Sequence, residues 1–312
     1  MNEYIWPAPL KAGDRVAIVS PSGCIDPGII DSAAALLRGA GYEVVEGRHA
    51  RSSHGRFAGT RAERLGDLQW ALDDATVRAV LCSRGGYGAV QLLDGIDLGP
   101  FMLRPKWVSG YSDITAIHAL LQRHGCVSLH ALMLKHIAER GLDDPCVAHM
   151  LDVMCGGGCD ITAPAHPLNR AGRAEGRVRG GNLSVLAGLR GTPYDIGGEG
   201  TILFVEDVGE RPYRIDRMMW GLKLSGVLGR LAGLVVGQVT GYEDDRSMCR
   251  DTYGLIADMM EGTGCPVAFG FPVGHVAHNE PVVCGARGTL EVTPHGVRLT
   301  IRRPQRAGTA DD

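Results

Sequence analysis

The chain has 312 residues, 45% hydrophobic and 21% charged, which is enough for two packed domains and excludes both a disordered chain and a small disulfide-stapled scaffold. Lys and Arg total 32 against 35 Asp and Glu, a net charge of −3 without a long single-sign block, so a nucleic-acid partner has no basic surface to meet. Glycine, at 45 residues, runs at about twice its usual ~7% share, which implies many tight turns and close backbone approaches.

No apolar stretch approaches the ~18 residues of a membrane span, and the opening MNEYIWPAPLKAGDR lacks the order of a secretory signal. A cytoplasmic protein without a membrane partner is expected. Its nine cysteines then read as reduced structural thiols, since Cys155-Gly-Gly-Gly-Cys159 has no second Cys or His pair near it.

From Asp14, the run RVAIVS reads as a buried parallel strand closed by Pro21, Ser22 and Gly23. Apolar residues at helical spacing over 28–40 predict a helix, YEVVEG a second strand, residues 61–72 a second helix and RAVLCS a third strand. That strand ends in Arg84-Gly85-Gly86-Tyr87-Gly88, followed by another predicted helix. KWVSG is the fourth strand and leads through Tyr111-Ser112-Asp113 into the amphipathic run ITAIHALLQRHG. Alternating strands and helices specify a mainly parallel sheet, with SPSG, RGGYG and GYSD gathered at its ligand-binding edge.

The Gly- and Pro-rich stretch 156–173 reads as a linker dividing residues 1–155 from 174–312. Beyond it come a GGNL turn opening a helix, the strand TILFVED, a helix through RIDRMMWGLKLSG, the strand AGLVVGQV, a helix near 251–261 and the strand PVAFGFP. GTLEV and GVRLTI form a predicted hairpin. Strands outweigh helices in this second half.

Ser112 lies on a sharp strand-to-helix turn that can expose its hydroxyl, which suits a nucleophile; Ser and Asp also cap helices, and spacing alone leaves both readings open. The RGGYG turn lets backbone amides approach an anion, or is a plain tight turn. Arg84 suits a carboxylate partner or a structural ion pair. Glu206, flush against four apolar residues, points at something specific, whereas Asp207 and Glu210 read as acids of a solvated turn. His275 follows the strand VAFGFP, with His278 three residues on; most of the eleven histidines, His118 among them, read as core or surface fillers.

Together, RFAGTRAERLGDL, VLCSRGGYGAVQLL, VSGYSDITAIH, GGNLSVLAGLRGTPY, ILFVEDVGERPYRIDRM and FGFPVGH resemble, in order, the LD-carboxypeptidase family, which includes the microcin C immunity proteins. The resemblance spans about residues 14–302. It implies an α/β protein with an N-terminal Rossmann-like parallel sheet, a C-terminal mostly β, barrel-like domain and an active site between them. It makes Ser112 the nucleophile, Glu206 the triad carboxylate and His275 the general base, with the amides of Gly86 and Asp113 as the oxyanion hole. Arg84 and Tyr87 remain candidates for substrate binding. The implied reaction releases terminal D-alanine from muropeptide tetrapeptides, without cofactor or metal, in a homodimer. Two rivals stand beside it: hydrolysis of a peptide-nucleotide antibiotic, whose adenylate-stacking loop is not recognised here, and a non-catalytic small-ligand binding module.

Overall fold

The computed structural model describes residues 4–304. Its first half alternates β1 (Arg15–Val19), α1 (Pro27–Gly39), β2 (Glu43–Glu46), α2 (Arg61–Asp73), β3 (Val77–Cys82), α3 (Gly99–Leu103), β4 (Trp107–Gly110), α4 (Thr115–Arg123), β5 (Ser128–His130), α5 (Leu134–Arg140) and α6 (Pro145–Cys155). Local chemistry sets the helix starts. Asp26 caps α1 ahead of Pro27, and Thr60 and Glu63 form a reciprocal capping box on α2. Ile30, Ala33, Ala34 and Leu37 bury one stripe of α1, each large side chain contributing roughly 1.5–3 kcal/mol.

The second half contains β6 (Cys159–Pro164), β7 (Gly172–Asn182), α7 (Leu183–Gly188), β8 (Thr201–Val208), α8 (Pro212–Leu224), β9 (Gly233–Thr240), α9 (Thr252–Met259), β10 (Val267–Ala268), β11 (Val282–Cys284), β12 (Arg287–Thr293) and β13 (Gly296–Ile301). Among the described residues, no helix is long and apolar enough to cross a membrane.

The first sheet has the order β11-β5-β4-β3-β1-β2, parallel except for β11. Strand order reverses between β1 and β3, so a crevice opens beyond their carboxyl ends, where SPSG and RGGYG lie. The second sheet has the order β10-β9-β8-β7-β12-β13-β6. β7 through β10 run parallel, and the remaining ladders are antiparallel. No ladder joins its outer strands β10 and β6 among the described residues, so this is a sheet with two edges rather than a closed barrel.

Several elements differ from expectation. The predicted linker contains β6, in which Cys159, Ile161 and Ala163 are buried and Asp160, Thr162 and Pro164 exposed. That period of two outweighs the flanking Gly and Pro residues. The helix expected after RGGYG is a 3-10 turn over Ala89–Gly95 followed by the short α3. PVAFGFP supplies only the two residues of β10, because its prolines and Gly270 interrupt the ladder. β11, from the second half, pairs with β5 through Val282 opposite His130, so the C-terminal chain completes the N-terminal sheet.

Candidate active site

Ser112 follows β4 in the left-handed region at φ +64°, where a non-glycine residue stores about 1–3 kcal/mol of strain. A 3-10 turn over Ser112–Ile114 then passes directly into α4. The side chain rests on the RGGYG backbone: a Cβ on Gly85 would lie 2.9 Å from Ser112 Cβ and 3.1 Å from its Oγ. Only glycine fits there without displacing the serine.

Three loops are fastened together behind this turn. The buried Asp113 carboxylate accepts bonds from Ser22 Oγ at 2.5 Å and the Ala89 N–H at 2.8 Å. Burial pushes its pKa up. The Arg64 guanidinium donates to the Pro21 carbonyl at 2.8 Å and the Gly88 carbonyl at 3.0 Å, strapping SPSG to RGGYG.

Glu206 and His275 meet. Glu206 lies on β8 with 0% exposure, at a register shift against β9 that re-aims the side chain. Its Oε2 accepts from His275 Nδ1 at 2.7 Å. Gly274 makes the approach possible, since a Cβ there would lie 3.0 Å from Glu206 Cβ and 3.1 Å from Oε2. The loop carrying His275 is braced by the Gly274 N–H donating to Asn279 Oδ1 at 2.8 Å and the Glu280 N–H to the Pro272 carbonyl at 2.8 Å.

Tyr111 links this pair to the serine turn. Its ring centroid lies 4.7 Å from that of His275, and it immediately precedes Ser112. The phenol is buried, which pushes its pKa up to about 12. Around it stand His130 and His136, their ring centroids at 5.8 and 5.6 Å. His136 Nδ1 accepts the Met133 N–H, so its neutral ring carries the proton on Nε2 and donates to the Tyr111 hydroxyl at 3.3 Å. Burial drives the pKa of His136 down to about 3, that of His118 to about 4, and that of His130 well below the ordinary range. His118 Nε2–H donates to the Gly110 carbonyl at 2.8 Å and so holds the end of β4. These imidazoles are neutral packing groups.

A cavity of about 430 Å³, within the range of small-molecule sites, has Gly86, Tyr87, Ser112, Asp113, Asn182 and Asp207 in its wall. Glu206 and His275 are not in that wall; the His275 ring packs against Tyr111, the residue before Ser112. Tyr87 is 46% exposed and tilts against Phe57 at 6.0 Å. Arg84 is not in the wall either, and its Nη1 donates to the Cys24 carbonyl at 3.0 Å.

Asp207 is buried and not an acid of a solvated turn, because β8 continues through Val208. Its carboxylate accepts from Asn182 Nδ2 at 3.2 Å, the Ser184 N–H at 2.7 Å and the Val208 N–H at 2.8 Å. Burial pushes its pKa up to about 6. Asn182 caps α7 and donates its own N–H to Thr115 Oγ1 at 3.0 Å, joining β7 to the start of α4. Sequence reasoning passed over Thr115, Asn182 and the role of Tyr111. The signal available for Asn182 was a polar residue directly after paired glycines and ahead of a helix.

The model of the LD-carboxypeptidase N-terminal domain matches residues 16–131, and that of the LD-carboxypeptidase C-terminal domain matches residues 175–290. A probable murein peptide carboxypeptidase of Bacillus subtilis (strain 168) is 36% identical over 293 residues, covering 91% of each chain. The crystal structure of muramoyltetrapeptide carboxypeptidase from Oxalobacter formigenes superposes with a TM-score of 0.84 at 30% identity, over 93% of this chain and 99% of that one. The microcin C7 self immunity protein MccF in complex with aspartyl sulfamoyl adenosine shares the fold, with a TM-score of 0.83 at 21% identity over 96% of this chain and 99% of that one.

Proposed function

Because the chain belongs to the LD-carboxypeptidase family, we propose that it hydrolyses the L,D-amide bond of muropeptide tetrapeptides, releasing terminal D-alanine through Ser112, His275 and Glu206. The observation that carries this reading is the 2.7 Å bond between a fully buried Glu206 and His275, whose ring tilts against the tyrosine that precedes a strained Ser112.

The chemistry follows from that pairing. With Nδ1–H donated to Glu206, the lone pair of His275 is on Nε2, the atom that takes the Ser112 proton as Oγ attacks the amide carbonyl. Such base catalysis contributes roughly 10²- to 10⁴-fold. The imidazolium formed is stabilised by the Glu206 carboxylate and then delivers its proton to the departing D-alanine amine. Water next attacks the acyl-enzyme, His275 again acting as base, and the tripeptide carboxylate leaves. Charge building on the carbonyl oxygen requires main-chain donors, and Gly86 and Asp113, beside Ser112 in the cavity wall, are the residues we assign. Tyr87, half-exposed over the same cavity, is positioned to pack on the peptide.

The fold shared with MccF supports a second reading, cleavage of a peptide-nucleotide by the same three residues. Mass spectrometry after incubation with a muropeptide tetrapeptide and, separately, a peptidyl adenylate decides between them. Loss of one alanine from the first, with the second intact, is the expected result. Cleavage of only the peptidyl adenylate overturns the muropeptide reading, and cleavage of neither overturns both.

A further inference from the structure

The His275 ring is held at one edge by its hydrogen bond from Nδ1 to Glu206 Oε2 at 2.7 Å. A small tilt about that edge stretches the bond little and moves Nε2, across the ring, the most. The His275 side chain keeps 19% exposure, so its surroundings do not enclose it on every side. The aromatic ring that meets it is Tyr111, with centroids 4.7 Å apart and planes at 53°.

Tyr111 is itself fixed from several directions. It is buried, and its hydroxyl accepts the Nε2–H of His136 at 3.3 Å. His136 is committed to that tautomer by the Met133 N–H, which donates to its Nδ1 at 3.1 Å. The His130 ring meets the tyrosine at 5.8 Å, and Phe204 on β8 backs His130 edge-on at 5.1 Å. The main chain of Tyr111 is extended between the end of β4 and the serine turn, and its carbonyl accepts the Ile114 N–H at 3.3 Å. One residue thus touches both groups: its backbone carries Ser112 and its side chain bounds His275.

Resting on the reading of Ser112 and His275 given above, we infer that Tyr111 is a positioning residue that keeps the His275 ring aligned toward Ser112, with His136 acting one contact further back by pinning the Tyr111 hydroxyl. A residue that only filled the core would be served as well by phenylalanine, without the cost of burying a hydroxyl. Here the hydroxyl is bonded, and its donor is an imidazole whose other nitrogen is already occupied, so the tyrosine ring has one orientation rather than a range. Proton transfer between Ser112 and His275 is sensitive to such placement, since a displacement of about 1 Å costs about 10²-fold in rate. Tyr111 is not in the wall of the cavity, so its effect falls on kcat rather than on KM.

The test compares Tyr111→Phe, which keeps the ring, with Tyr111→Met, which replaces it by a flexible chain that adapts to the same core space. Kinetics of D-alanine release from a muropeptide tetrapeptide are read beside the exchange rate of the His275 Nδ1 proton. That proton is followed by NMR of the isotope-labelled protein without substrate and identified by its absence from His275→Gln. In Tyr111→Met, kcat falls about 10²-fold at near-wild-type KM, and the proton exchanges faster with water. Tyr111→Phe restores kcat to within roughly fivefold of wild type, the share of one neutral hydrogen bond, with a smaller rise in exchange. An unchanged kcat or an unchanged proton in Tyr111→Met overturns the proposal, as does a loss in Tyr111→Phe equal to that in Tyr111→Met. If wild type releases no D-alanine, the reaction reading fails by itself and the proton decides on positioning: protection in wild type that is lost in Tyr111→Met supports it, and equal exchange in the two overturns it. If Tyr111→Met does not fold, Tyr111→Phe decides, faster exchange supporting the pinning by His136 and an unchanged rate overturning it.

Discussion

Replacing Glu206 by Gln keeps the shape of a side chain that has no solvent exposure while removing its charge. The residue accepts one hydrogen bond from His275 at 2.7 Å, which an amide oxygen also accepts. The difference arises when His275 becomes a cation. An imidazolium and a carboxylate with charge centres about 4 Å apart, at an effective dielectric near 20, attract by about 4 kcal/mol. At ~1.36 kcal/mol per decade, that predicts a kcat about 10³-fold lower. The equivalent carboxylate-to-amide change in a serine peptidase triad costs ~10⁴-fold, because the amide also permits the wrong tautomer. KM stays near wild type, since the lost interaction belongs to the transition state. The assay is D-alanine release from a muropeptide tetrapeptide under saturating substrate, with circular dichroism and melting confirming the fold. A kcat within tenfold of wild type would refute the assignment of Glu206 to the imidazolium.

The remaining predictions concern the frame. Gly85→Ala pushes a methyl group to 2.9 Å from Ser112 Cβ, so kcat should fall by roughly 10²-fold with little change in melting temperature; an unaltered kcat contradicts the packing described. Asp113→Ala strips Ser22 Oγ and the Ala89 N–H of their buried acceptor and should lower the unfolding free energy by about 2–4 kcal/mol in urea titration; a loss below ~1 kcal/mol contradicts its role in joining the loops. His118 has a folded-state pKa of about 4, below its unfolded value of 6.5, so the unfolded chain binds more protons as pH falls through that window. Its contribution is nil above pH ~7 and reaches about 3 kcal/mol of destabilisation below pH ~4. The difference in stability between wild type and His118→Gln should therefore change with pH between 6.5 and 4 in favour of the variant; a pH-independent difference means that His118 protonates without penalty. Asp207, raised to about 6, acts in the opposite sense, which is why the difference is the quantity to measure.

The legible parts of the sequence were those in which one physical signal dominated. β1, β3 and β4 are short buried apolar runs that end in Gly or Ser turns, and α1 and α2 carry their caps in the sequence. Ser112 lies on the strand-to-helix turn that its flanking residues implied, and Glu206, flush against ILFV, meets a partner in His275, whereas the role of Ser112 came from the family resemblance and not from its spacing. β6 was hidden by flanking Gly and Pro, although its alternation was present. Asp207 was misread because burial of an acid depends on partners from β7 and α7, which no local pattern reveals. The same holds for β11 crossing to β5 and for Tyr111 between three histidines: residues distant in sequence determine both.

The most direct measurement is D-alanine release by Ser112→Ala beside wild type, on protein with an unchanged circular dichroism spectrum. Loss of the serine removes the proposed nucleophile while leaving the cavity and the Glu206–His275 pair in position. Release from wild type and none above background from the variant is the predicted outcome. Turnover by the variant within tenfold of wild type contradicts covalent catalysis at Ser112.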